Sequence, residues 1–107
     1  MRKTILRFMG LVLITICPVG SAYSQDGNLL YTTKFCITCH GTKGVSIAPN
    51  YPNLARQNVA YLINQANDII SGKRTSKLTI LMTANPVVKA ISEEELKAIS
   101  SYLLTLK

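Results

Sequence analysis

The chain is poor in acidic residues, with five in all, has one histidine, and shows no internal repeat or low-complexity tract. So few carboxylates and a single imidazole provide no Ser-His-Asp set and no isolated carboxylate pair for acid–base work, and no glycine-rich phosphate loop is present. Turnover chemistry by the polypeptide's own side chains is therefore not expected. Long apolar runs are missing as well. The stretch Phe8 to Cys17 covers ten residues, against the ~20 of a transmembrane helix. Arg2, Lys3 and Arg7 precede it, and Pro18 and Gly20 close it, the pattern of a secretory leader. Ala22 and Ser24 are the small residues of a cleavage site after Ser24, so residues 1–24 are expected to be removed and Gln25 to begin the mature protein. Ile16 is too bulky before Cys17 for lipid attachment. Export to the periplasm without stable membrane insertion is the expectation.

What remains, residues 25–107, is one small domain. A chain of this size buries a modest share of its surface and needs help to make a core, since a ~60-residue domain hides only about 60% of its unfolded surface. Its nine basic and five acidic residues leave a net charge of +4. That mild excess does not point to nucleic acid. It suits transient docking on acidic partner surfaces, where steering raises association rates.

The help is written at Cys36-Ile37-Thr38-Cys39-His40. In an exported chain, Cys-x-x-Cys-His reads as the covalent attachment site of a c-type haem. Two thiols spaced by two residues on a helical turn each add to one vinyl group of the porphyrin, and the histidine that follows is held under the iron as proximal ligand. A zinc site needs two more Cys or His ligands, and only Cys17 is available besides His40. A redox dithiol belongs in a strand-helix-strand context, which the pattern lacks.

The periodic segments predict an all-α domain of three helices separated by loops. The first is expected from near Gly27 into the haem motif, with Leu29, Leu30, Tyr31 and Phe35 as its large apolar residues. Asn58 caps a second, in which Val59, Leu62, Ile63, Ala66, Ile69 and Ile70 recur at helical spacing, and Gly72 ends it. Ser92 with Glu95 forms a capping box for the last, and Glu93, Glu94 and Glu95 favour its positive end. Leu96, Ile99, Leu103 and Leu106 give that helix its stripe. Residues 41–57, with Gly41, Gly44, Pro49 and Pro52, read as a loop. Residues 73–91 are expected to be a loop with a helical turn or two.

The ordered set Cys-Ile-Thr-Cys-His-Gly at 36–41, Tyr-Pro-Asn-Leu-Ala-Arg-Gln at 51–57, Tyr-Leu-Ile-Asn-Gln at 61–65, Gly-Lys-Arg at 72–74 and Ile-Ser-Glu-Glu-Glu-Leu through Ser-Tyr-Leu at 91–103 resembles the class I cytochromes c. The resemblance is to the small bacterial monohaem type and to the repeats of dihaem cytochromes c, and it covers the whole of residues 25–107. It implies three to five helices wrapped around one covalently attached haem, crossed terminal helices, and one-electron transfer between redox proteins as the role. It also implies a methionine as distal ligand from the segment before the last helix. Met82 stands in that segment, with Lys77 or an open iron as alternatives. By the same resemblance Pro52 offers its carbonyl to the ring of His40. The resemblance likewise implies that Gln57, Tyr61 and Arg74 are haem-pocket residues, and Tyr51 and Gln65 with them. Arg56 departs from the pattern, standing where relatives usually carry glycine. Tyr31 and Tyr102 are expected to meet where the terminal helices cross. Lys73, Arg74 and Lys77 form a basic cluster, read as a docking patch, a propionate partner or plain solvated surface. Two other roles stay open: a cytochrome subunit of a larger redox enzyme, partnering a flavin dehydrogenase or a terminal oxidase, and a ligand-binding haem protein with a vacant distal position.

Overall fold

A computed structural model describes residues 12–16 and 25–107. Most of the expected leader, its cleavage site included, lies outside the described residues; residues 12–16 form no helix or strand, and no described helix is long and apolar enough to cross a membrane. The described residues form six helical segments and no strand: α1 (Gly27–Thr33), α2 (Cys36–His40), α3 (Val59–Ile70), α4 (Lys77–Ala84), α5 (Pro86–Lys89) and α6 (Glu93–Thr105). The all-α expectation holds, with more and shorter helices than the pattern indicated.

Two differences have local causes. The first helix does not run unbroken into the haem motif. Lys34 closes α1, and Phe35 turns the chain with φ 64, so α2 leaves in a new direction. A non-glycine residue there costs on the order of 1–3 kcal/mol and persists where the surrounding structure holds it. Residues 73–91 contain two helices rather than a loop with a turn or two. Ser76 and Thr79 form a reciprocal capping box for α4, and the Asn85 side chain accepts from Val87 N–H to start α5 with Pro86 in its first turn.

The other starts and stops follow the sequence. Asp26 accepts from the Asn28 and Leu29 N–H groups at the head of α1. Asn58 accepts from Tyr61 N–H at 3.1 Å to begin α3, which closes at Ser71 before Gly72. Ser92 Oγ accepts from Glu95 N–H and the Glu95 carboxylate from Ser92 N–H at 2.9 Å, the predicted box of α6.

Helices α1 and α3 both pack on α6. Gly27 sits at the α1/α6 crossing, where a Cβ would run into the Ala98 carbonyl and Tyr102 Cβ. One turn on, the rings of Tyr31 and Tyr102 meet with centroids 5.9 Å apart and planes tilted by 52°. Tyr31, Leu62, Ile99 and Leu103 form one core cluster; Val88, Ile91 and Leu96 form a second. Burying a Leu or Ile side chain contributes about 1.5–3 kcal/mol, so two groups this small make a thin core. Helix α3 gives Leu62 to the first cluster and Ala66 and Ile70 to the second, while α6 gives Ile99 and Leu103 to the first and Leu96 to the second. The two helices thereby join both ends of the domain.

Candidate functional site

The one-turn helix α2 presents Cys36, Cys39 and His40. Cys36 is partly buried and packs, with Ile37, on the first core cluster, whereas Cys39 is exposed; neither is in a disulfide. Burial, and to a lesser degree the neighbouring Cys39, push the Cys36 thiol up to about 11. A redox dithiol needs the opposite shift, because its attacking sulfur works as the thiolate. No group of three or more His, Cys, Asp or Glu side chains is placed to hold a metal ion among the described residues. An iron brought by a macrocycle needs fewer ligands from the protein, because the porphyrin supplies four of its own.

His40 Nδ1 lies 2.9 Å from the Pro52 carbonyl oxygen. A carbonyl only accepts, so Nδ1 carries the proton and, in the neutral ring, Nε2 keeps its lone pair. Burial holds the imidazole below its ordinary pKa, with the Pro52 bond acting in the opposite sense. A neutral imidazole with one nitrogen tied to backbone and the other bare is what a ring ligating iron requires.

The loop that brings Pro52 to His40 is braced throughout. Gly41 leaves α2 with φ 82, and a Cβ there would strike the Val45 carbonyl, so this position requires glycine. Gly44 O accepts from Leu54 N–H at 2.7 Å and Ala55 N–H at 3.0 Å, and Arg56 N–H donates to Leu103 O at 2.9 Å. Arg56 takes φ 64, a backbone that suits glycine. The Tyr31 hydroxyl donates to Gly41 O at 2.6 Å from a fully buried ring. Nothing in the sequence pattern indicated that last bond, since its partners are ten residues apart in different elements.

Met82 lies on α4, half-buried against Val88, Ile91 and Leu96 in the second cluster. Arg74 Nη1 donates to Gln65 Oε1 at 2.8 Å, and Gln57 Nε2 donates to Asn53 O. Tyr61 stays about half exposed in the first turn of α3. Lys73, Arg74 and Lys77 are all exposed. Around this framework Val45, Ile47, Leu78, Ile80 and Leu81 remain exposed to water. Such exposure beside a thin core fits a domain completed by a large, flat apolar group.

The cytochrome c family profile matches residues 24–107. Cytochrome c4 of Pseudomonas aeruginosa is 41% identical over 99 residues, 90% of this chain and 46% of that protein. Cytochrome c-554(548) of Halomonas halodenitrificans is 37% identical over 67 residues, 63% of this chain and 78% of that protein. A thiosulfate dehydrogenase electron acceptor of Stutzerimonas stutzeri is 33% identical over 84 residues, 78% of this chain and 38% of that protein. The chain thus spans less than half the length of the cytochrome c4 and of the electron acceptor that it matches. It belongs to the cytochrome c family, as a class I cytochrome c similar to one repeat of the dihaem proteins, and the family's covalently bound, iron-containing haem c comes with that membership.

Proposed function

We propose that this chain is a periplasmic one-electron carrier with His/Met axial ligation and no turnover chemistry of its own. The observation that carries the reading is the His40–Pro52 bond, because it fixes the tautomer that leaves a nitrogen free for iron. Haem, when bound, supplies reversible one-electron chemistry at its iron. The chain's residues hold and tune it. Cys36 and Cys39 are the two covalent anchors and His40 the proximal ligand. Met82 is the distal ligand, held on a capped helix between the second core cluster and solvent. Gln57, Tyr61 and Arg74 line the pocket, with Arg74 oriented by Gln65. Ligands held by packed helices change little between oxidation states, which favours fast outer-sphere exchange. Residues 25–107 carry a net positive charge, which favours acidic redox partners.

A second reading, as the cytochrome subunit of a larger redox enzyme, draws support from the relative named as an electron acceptor of thiosulfate dehydrogenase. The test is to mature the protein in a bacterial envelope with a haem-attachment system, weigh it, and record ferric and ferrous spectra. The carrier reading expects the mass of one haem, low-spin spectra, the weak far-red methionine-to-ferric-iron band, and no carbon monoxide binding by the ferrous form. Ready carbon monoxide binding sinks the closed distal site. Stoichiometric co-purification with a larger polypeptide favours the subunit role.

A further inference from the structure

Three hydrogen bonds close a ring that contains His40. His40 Nδ1 donates to Pro52 O at 2.9 Å, and the next residue, Asn53, accepts at Oδ1 from Ser46 N–H at 2.8 Å. The Ser46 hydroxyl lies 3.1 Å from the Cys39 carbonyl and 3.0 Å from that of Ala48, and it has one proton to give. Ala48 O already accepts from Tyr51 N–H at 3.1 Å, whereas Cys39 O, left open at the end of α2, receives no backbone N–H among the described residues. The proton therefore belongs on Cys39, and Ala48 N–H donates back to the same hydroxyl oxygen at 3.1 Å. Cys39 precedes His40 in the chain, which completes the ring.

Pro52 has no N–H of its own, so its carbonyl is aimed by its neighbours. Tyr51 is tied to Ala48 on one side; on the other, Asn53 is tied to Ser46, and its carbonyl accepts from Gln57 Nε2. Pro52 and Asn53 are both exposed, so hydrogen bonds rather than packing set their position. We propose that Ser46 and Asn53 are positioning residues for the proximal ligand: through Pro52 they set how firmly the His40 ring is bonded at Nδ1, and so the donor strength of Nε2 toward iron. The inference rests on the carrier reading, with His40 as that ligand. A firm bond at Nδ1 raises the basicity of the ring, which favours ferric iron, and hydrogen bonding to a ligand is one of the levers on a haem potential. Ser46 also fastens the ring to Cys39, so the anchor and the ligand keep one mutual geometry.

The experiment uses the mature, haem-loaded protein and reads its reduction potential together with the resonance and exchange rate of the His40 Nδ1–H in the ferrous form. Ser46→Ala removes the tie to Cys39, and Asn53→Ala removes the acceptor for Ser46 N–H. Each is expected to shift the ferric–ferrous equilibrium toward ferrous by about threefold, less than the roughly 10–100-fold that follows loss of a direct outer-shell partner. Each should also move the Nδ1–H resonance upfield and speed its exchange. Because the two residues share one ring, the double variant should shift less than the sum of the singles. Ser46→Thr, which keeps the hydroxyl, should restore the parent values, and Thr42→Ala, exposed on the same loop outside the ring, should match them. A parent-like potential and Nδ1–H in both alanine variants, even with a lower denaturation midpoint, would overturn the positioning role and leave the carrier role standing, since bracing alone moves only the midpoint. A shift toward ferric, or loss of haem attachment in both variants, would overturn it as well; if Ser46→Ala alone fails to take up haem, Asn53→Ala decides by the same two readouts. A parent protein that carries no haem, or shows no Nδ1–H for His40, would remove the carrier reading and this role together.

Discussion

The buried hydroxyl of Tyr31 donates to the Gly41 carbonyl across 2.6 Å, joining the first helix to the turn that directly follows His40. Burial, reinforced by nearby Cys36 and Tyr102, pushes the Tyr31 phenol up to about 12, so the donor stays protonated through the physiological range. The same ring packs against Tyr102 on α6. One side chain thus couples the helix crossing to the turn after His40.

Replacing that hydroxyl isolates the coupling. Tyr31→Phe keeps the ring contact and leaves the Gly41 carbonyl without its side-chain donor, which costs roughly 1–3 kcal/mol for a buried group. Haem should remain attached, and the guanidinium midpoint of the loaded protein should fall. An unchanged midpoint would mean that water replaces the phenol at no cost.

The proposed role of Met82 as distal ligand is separable from its packing against the second core cluster. Met82→Ala is expected to keep haem attached, abolish the far-red band, lower the reduction potential, and lose about 2–5 kcal/mol of stability through the vacated space beside Val88, Ile91 and Leu96. Met82→Leu conserves the volume, so it should lower the potential similarly while costing less than about 1.5 kcal/mol in packing. If the potential of Met82→Leu matches the parent, another group holds the distal position, and Lys77 on the same helix is the first to replace.

Arg56 occupies a left-handed backbone conformation at φ 64, in which a non-glycine residue is held at a cost of ~1–2 kcal/mol. Glycine removes that cost and returns about 0.5–1 kcal/mol of it as chain entropy. Arg56→Gly is therefore expected to stabilise the protein by about 0.5–1 kcal/mol, read as a rise in thermal midpoint. A fall would show that the arginine side chain contributes more than the backbone loses.

Glu95 links two helices and carries part of the acid response. Its carboxylate accepts from Ser92 N–H and pairs with Lys34 at 3.0 Å, tying the end of α1 to the start of α6. The Ser92 backbone bond first, then Lys34, hold it below the usual carboxylate range. A depressed folded-state pKa stabilises above the unfolded value, about 4.3 for Glu, and that contribution disappears as pH falls through the folded value. Chemical-denaturation curves from pH 7 to 3 should show the parent losing stability below about pH 4.5, and Glu95→Gln, which keeps the cap but not the charge, losing less. Parallel curves would remove Glu95 from the acid response.

Much of this protein was legible in its residues because it is governed by local physics. The haem motif is five consecutive positions. The capping box of α6 and the stripe and Asn58 cap of α3 are rules about neighbours one turn apart, and all three appear where the spacing puts them. The Pro52 carbonyl reaches His40 as the family resemblance implied. Helix α4 was not legible, because Leu78, Ile80, Leu81 and Met82 form no single stripe and its cap uses Thr79 where a glutamate or glutamine would have signalled it.

The sequence alone therefore determined the helical class, the attachment motif and the ends of the strongly patterned helices, since each depends on side chains and backbone within about one turn. Tertiary structure decided the rest. Phe35 breaks the first helix, Tyr31 reaches Gly41, and Ser46 holds the exposed Ile47 beside Cys39. Each joins or reorients elements whose relative placement is fixed only when α1 and α3 close on α6, and no local propensity encodes that geometry.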